Sequence, residues 1–203
     1  LRFAPSPTGL LHVGNARIAL LNYLYAKSKN IEFILRIDDT DKERSETKYV
    51  DAIKSDLRWL GIKYDDLFFQ SNRMKNYSLA CELLKNKDKL YACYETPEEL
   101  ELKRKIQLKT GKPPIYDRSS LKLSNKEIKN FESEGRKPHW RLFLDETTIE
   151  WDDYIHKKIR FDKLSISDPI LIRSDNTPLF TLTSVIDDID YKISNILRGD
   201  DHI

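Results

Sequence analysis

The apolar positions of the first seventy residues follow two periods in alternation. Arg2-Phe3-Ala4 reads as a short strand, and Ile18, Leu21, Leu24 and Tyr25 then recur at helical spacing. Glu32 to Ile37 alternates in β-type residues, which makes the opening a strand-helix-strand unit. A second helix follows, with Asp41 or Ser45 as its cap, Tyr49, Val50, Ile53, Leu57 and Leu60 as its apolar stripe, and Gly61 as a left-handed stop. Phe68-Phe69-Gln70 is expected as another strand, before a helix from Met74 to Leu84. Residues 1–71 therefore predict the first half of a doubly wound, parallel α/β sheet.

Residues 72–178 have the texture of an α+β insertion. Leu90 to Tyr94 reads as a strand, and Thr96-Pro97-Glu98-Glu99 and Ser124-Asn125-Lys126-Glu127 are capping boxes that predict two helices. Gly111-Lys112-Pro113-Pro114 between them breaks regular structure. From His139 the pattern turns to strands: Trp140, Leu142 and Leu144 alternate, Glu150 to Phe161 reads as a hairpin, and Pro169 to Ile172 precedes a turn at Asp175-Asn176. Residues 179–203 are expected to rejoin the parallel sheet, through a helix around Leu182 to Ile186 and a strand at Ser194 to Leu197.

Charge changes this picture in one place. The net charge of the 203 residues is only +2. Residues 1–70 carry eleven Lys and Arg against ten Asp and Glu, whereas residues 103–137 carry eleven against four. A solvated face and a surface for a phosphate backbone both fit that basic segment. Charged residues make up 33% of the chain, and no apolar run approaches the roughly 20 residues of a bilayer span. A cytoplasmic enzyme is the expectation. Cys81 and Cys93, with four scattered His, match none of the paired spacings of a structural zinc site, so reduced thiols and no metal site are expected.

The candidate chemistry is concentrated in Phe3-Ala4-Pro5-Ser6-Pro7-Thr8-Gly9-Leu10-Leu11-His12-Val13-Gly14-Asn15, where a strand passes into a helix. Pro5 and Pro7 stiffen an extended segment, Thr8-Gly9 permits a turn, and His12 and Gly14 fall at the helix start. Unsatisfied N–H groups and the positive dipole end there suit an anion, above all a phosphate.

That loop, Leu35-Arg36-Ile37-Asp38-Asp39-Thr40-Asp41, the Thr96-Pro97-Glu98-Glu99-Leu100 segment, Val185-Ile186-Asp187-Asp188 and Arg198-Gly199-Asp200-Asp201-His202 together resemble glutamyl-tRNA synthetases, in the family's order. The resemblance implies a Rossmann-type sheet interrupted by an insertion that grips the acceptor end of tRNA. It implies a class I aminoacyl-tRNA synthetase, a monomer that uses ATP with Mg2+ to activate glutamate and charge tRNA(Glu), with tRNA(Gln) as a further acceptor where discrimination is relaxed. It assigns catalysis to His12, Gly14 and Asn15, and ATP binding to Ser6, Pro7, Thr8, Gly9, His12, Gly14 and Asp201. Glutamate falls to Arg2, Ser6, Asp38, Phe180 and Arg198: Arg2 for the side-chain carboxylate, Asp38 for the ammonium, Arg198 for the α-carboxylate end. Lys103, Arg104, Lys105, Lys109 and Arg118 are the candidate tRNA contacts. Arg36 is expected in a structural salt bridge.

Three positions depart from the family pattern. Asp38 and Asp200 stand where Glu is frequent, and Phe180 where Tyr is frequent. Some family members hold zinc in the insertion through several Cys; here Cys93 is a lone remnant and Ser119-Ser120 occupies the region of another. The family's second nucleotide loop and its anticodon-binding region do not occur in these 203 residues, which are therefore expected to be an N-terminal catalytic fragment, nearly inactive alone. Alternative readings are an enzyme that glutamylates a modified tRNA base, a non-catalytic tRNA-binding module, and a small-molecule adenylyltransferase.

Overall fold

A computed structural model describes residues 1–145, 148–162 and 166–199. The chain forms two compact units, Leu1–Ser78 together with Val185 onward, and Leu79–Ser184.

The first unit is built on a parallel sheet in the order β1-β2-β3, with β1 at Arg2–Phe3, β2 at Ile34–Ile37 and β3 at Asp66–Phe69. Arg2 and Phe3 face Ile34 and Leu35, and Ile34 to Ile37 face Asp66 to Phe69. Parallel neighbours need crossovers, here helices α1 (Val13–Lys29) and α2 (Thr47–Trp59). Each position of the central strand β2 is buried, as a strand with neighbours on both edges and packing on both faces requires. Phe3, Phe33, Leu35, Ile37, Val50, Ile53, Leu57 and Ile62 make the core.

Three local expectations fail, wholly or in part, in this unit. The inward face of α1 carries Ala19, Asn22 and Ala26, while Leu21 and Leu24 are exposed. Ile18 and Tyr25 of the expected stripe pack partly against the core, but the fully buried positions are Ala19, Asn22 and Ala26, and Asn22 Nδ2 donates to the carbonyl of Leu197 at 3.1 Å, so the stripe marks the buried side only in part. The cap of α2 is the extended backbone of Glu46, neither Asp41 nor Ser45. Asp41 instead accepts from Arg44 Nε at 2.7 Å in the preceding turn. Gly61 does end the helix in the left-handed region, at φ 72°. No strand forms at Ser194 to Leu197 among the described residues: with no ladder partner beside it, the segment stays irregular.

Helix α3 (Met74–Asn86) leads into the second unit. There β4 (Leu90–Cys93), β5 (His139–Leu142) and β8 (Ile170–Ile172) form an antiparallel sheet in the order β4-β5-β8, and β6 (Ile149–Asp153) pairs with β7 (Lys157–Phe161) as a hairpin. Helices α4 (Pro97–Lys109) and α5 (Asn125–Ser133) begin at complete capping boxes on Thr96 and Ser124. Helix α6 (Phe180–Asp190) leaves the unit. The phase of β5 inverts the sequence pattern: His139 and Arg141 are buried, Trp140 and Leu142 only half-buried. Arg141 is accommodated because its Nη1 donates to the carbonyl of Asp168 at 2.6 Å and its guanidinium lies 4.1 Å from the Tyr116 ring centre.

Leu57, fully buried, and Trp59, 85% exposed, lie one half-turn apart on α2. Leu57→Ala should lower stability by roughly 2–5 kcal/mol and Trp59→Ala by less than about 0.5 kcal/mol, read as shifts in the urea midpoint.

Candidate functional site

The loop from β1 to α1 is fastened by its acceptors. Asp38 N donates to the Pro5 carbonyl at 3.0 Å, Glu46 N to the Pro7 carbonyl at 3.1 Å, and Thr8 N to the Ser6 carbonyl at 2.9 Å. Pro5 and Pro7 are buried, whereas Ser6 and Thr8 face solvent and Gly9 is half-exposed. His12 then caps α1: its Nδ1 accepts from Gly14 N at 3.1 Å. In a neutral imidazole that leaves Nε2 as the proton-bearing nitrogen, on an exposed residue. A Cβ at Gly14 would lie 2.9 Å from His12 Cε1, so the absence of a side chain there is what lets the imidazole close over the helix end. Asn15, half-buried, follows in the first turn.

Behind the loop runs a chain of buried ion pairs. Arg2 Nε and Nη2 donate to the two carboxylate oxygens of Asp188, both at 3.0 Å. Arg36, in the middle of β2 and fully buried, donates through Nε and Nη2 to Asp38 at 2.6 and 3.0 Å and through Nη1 to Asp188 at 3.3 Å. The expected salt bridge of Arg36 is thus present. Asp187 accepts from Gln70 at 2.8 Å, Arg73 Nε at 2.7 Å and Tyr77 at 2.9 Å, and Arg73 also donates to Asp190. Arg2, Arg36 and Arg73 are matched one for one by Asp38, Asp187 and Asp188, as buried charges demand.

The electrostatics follow from burial and these partners. Burial pushes the Asp38 carboxyl up to about 6 against the pull of Arg36 and Arg2, which leaves it ionised at neutral pH. Burial works against the charge on Arg36, but Asp38, Asp188 and Asp187 more than offset it, and its pKa is raised. Arg198 is lowered, first by desolvation and then by the nearby charge of Arg2, with Asp188 acting the other way. Arg2, Asp38 and Arg198 therefore belong to the same unit, with Arg2 and Arg198 close enough to repel. Phe180, the first residue of α6, belongs to the other unit and is exposed. Asp200 and Asp201 lie outside the described residues.

In the second unit the basic residues divide. Lys103 donates to Ser119 at 2.6 Å and lies 3.3 Å from Glu95, and Arg118 grips the buried Asp168 with Nε and Nη2, both at 2.8 Å. These two hold the unit's own fabric together. Arg104, Lys105 and Lys109 are exposed on α4, the first two only 3.9 Å from Glu101.

Sequence reasoning singled out Cys93 and Ser119-Ser120 in this region but missed Glu95, Tyr116 and His139, which join them in a polar cluster. Glu95 accepts from Tyr116 at 2.8 Å, Ser119 at 2.9 Å and Ser120 at 2.7 Å. Burial opposes its charge, but these hydrogen bonds hold its pKa down at about 2. The pairing of Cys93 with His139 across β4 and β5 brings Cys93, Glu95 and His139 ligand atoms within 4.8 Å of one another. Burial raises the Cys93 thiol and lowers the His139 imidazole, so both are neutral near pH 7. No sequence spacing signals this set, because strand register assembles it.

The family described as tRNA synthetases class I (E and Q), catalytic domain, matches residues 1–203. The chain is 57% identical over its whole length to a glutamate–tRNA ligase 1 of Rickettsia prowazekii and 55% identical to a glutamate–tRNA ligase 2 of Rickettsia canadensis, covering 45% of each. It spans less than half the length of these curated relatives. Its structure is similar to a glutamate tRNA ligase of Elizabethkingia meningosepticum solved in complex with its amino acid, with a TM-score of 0.87 and 31% identity over 98% of this chain and 43% of that one.

Glu95 gives the pH dependence its sign. Its folded pKa, about 2, lies below the ordinary 4.5, so its contribution is present above about pH 4.5 and is lost as pH falls through 2. Glu95→Gln should lower stability at pH 7 by on the order of 2–3 kcal/mol and flatten that acid limb, measured by urea unfolding from pH 7 down to 2.

Proposed function

Because this chain belongs to the class I tRNA synthetases for glutamate and glutamine, as their catalytic domain, we propose that the protein carrying it activates glutamate with ATP and transfers it to tRNA(Glu). The observation that supports this most is the buried Arg2 guanidinium in the strand that leads directly into the His12 cap. Arg2 and Arg198 with Asp188 sum to one positive charge, the complement of glutamate, whose two carboxylates and one ammonium sum to one negative.

In the first step a glutamate α-carboxylate oxygen bonds to the α-phosphorus of ATP and the bond to the β-phosphate breaks, giving glutamyl adenylate and pyrophosphate. In the second a ribose hydroxyl at the tRNA 3′ end takes the acyl group, loses its proton, and releases AMP. Neither step needs a covalent enzyme intermediate, so the protein's part is placement and charge stabilisation. Arg2 takes the side-chain carboxylate through a charge-assisted pair and Asp38 faces the ammonium. Two of the carboxylate's roughly four acceptor positions at Asp38 are held by Arg36, which leaves room for the ligand. The Nε2 proton of His12 and the N–H groups at the start of α1 meet the phosphates, to which Mg2+ is bound as part of the nucleotide.

Arg104, Lys105 and Lys109 present their charges to the acceptor end of tRNA, while Lys103 and Arg118 shape the surface that carries them. We place the protein in the cytoplasm, acting as a monomer with Cys81 and Cys93 as thiols.

Arg2→Gln should lower kcat/KM for glutamate by roughly ten- to hundredfold, from loss of a bond worth on the order of 1.5–3 kcal/mol, and leave the KM for ATP within about twofold. ATP–pyrophosphate exchange with tRNA present measures both; an equal loss for the two substrates removes Arg2 from the side-chain pocket. Replacing Arg104, Lys105 and Lys109 together by Ala should reduce the slope of log affinity for tRNA against log salt by about 2, read by filter binding across salt concentrations.

A further inference from the structure

The four residues Arg2, Asp188, Arg36 and Asp38 form a ladder of alternating charge, each joined to the next by hydrogen bonds of 2.6 to 3.3 Å. Its two ends are the groups that the proposed function assigns to opposite poles of the amino acid, Arg2 for the side-chain carboxylate and Asp38 for the ammonium. We propose that Asp188 is a positioning residue for amino-acid selectivity: by bridging Arg2 and Arg36 it fixes the separation and orientation of the two poles that read the substrate. This inference rests on the glutamate-activating reading above.

The atoms used at each rung support it. A guanidinium has five N–H bonds in a rigid plane. Asp188 takes one from Nε and one from Nη2 of Arg2, the side of the fork, and leaves the end of the fork formed by Nη1 and the second Nη2 hydrogen for another carboxylate. Asp188 Oδ1 is shared between Arg2 Nε at 3.0 Å and Arg36 Nη1 at 3.3 Å, so the planes of the two cations are tied to one atom. Arg36 has no exposure and is held in turn by both oxygens of Asp38. A change of tilt at one end is thereby transmitted to the other.

Anchoring of α6 falls to a different residue. Asp187, 1% exposed, takes Gln70, Arg73 and Tyr77 and fixes the helix to the segment after β3. Asp188, its neighbour, is 14% exposed and turns to Arg2. Asp187 also lies 3.6 Å from Arg36 Nη1, so both carboxylates touch Arg36, and it is Asp188 that extends the contact to Arg2.

The test uses the full-length protein in ATP–pyrophosphate exchange with tRNA, comparing glutamate, aspartate and glutamine. Asp188→Asn keeps the shape and removes the charge. It should raise the KM for glutamate about tenfold or more with kcat changed by less than about threefold, leave the KM for ATP unchanged, and narrow the preference for glutamate over aspartate and glutamine about tenfold. Asp188→Glu, which restores the charge with a different reach, should recover affinity for glutamate but not the preference over aspartate. An unchanged or lower KM for glutamate in Asp188→Asn would make Asp188 a bystander or a competitor for Arg2 and overturn the proposal. Equal losses for glutamate and ATP, with a fall in Tm, would make it a strut only. Failure of the unsubstituted protein to exchange with glutamate would overturn the functional reading, and the proposal with it.

Discussion

A guanidinium with no solvent exposure sits at the centre of the only strand that has neighbours on both sides in the parallel sheet, among the described residues. Arg36 in β2 stands among Ile34, Leu35 and Ile37, in the kind of place that aliphatic side chains fill. An unpaired cation there would cost several kcal/mol, so the fold is committed to supplying carboxylates. Asp38 comes from two residues away, but Asp188 comes from 152 residues away in sequence. The first unit is consequently closed by its own late segment, and the strand, the loop and the last turn of α6 are parts of one charge-balanced core. What is spent on burying charge returns as fixed directions for Arg2 and Asp38.

Much of this was legible in the chain, for identifiable reasons. Central β2 announced itself through the β-type residues between Glu32 and Ile37, and the capping boxes at Thr96 and Ser124 are local, four-residue devices that need no tertiary context. The buried face of α1 was legible only in part, since its fully buried positions are Ala19, Asn22 and Ala26, which carry little hydrophobic signal, while the conspicuous leucines face outward. The phase of β5 was lost for a related reason: Arg141 is buried by stacking and a carbonyl acceptor, interactions that sequence periodicity does not register.

Of the candidate site, the His12 to Gly14 cap could be read directly, because it is contiguous. The partners of Arg2 and Asp38 could not, because Asp188 is one of two adjacent aspartates and only the rotation of α6 decides which faces Arg2 and which faces Tyr77. The basic segment shows the same limit. Its charge excess counts Lys103 and Arg118 alongside Arg104 and Lys105, but the first two are consumed by Glu95 and Asp168. Net charge along a chain measures what is present, whereas recognition depends on what is left over after internal pairing.

The loop held by the carbonyls of Pro5 and Pro7 carries a consequence for how its order can be observed. Prolines have no amide proton, so the stiffest part of the loop is silent to hydrogen exchange. Its integrity is recorded at a distance, in the amides of Asp38 and Glu46 whose protons are locked onto those carbonyls. Asp38, just past β2, and Glu46, just before α2, thus serve as reporters for two prolines that cannot report on themselves.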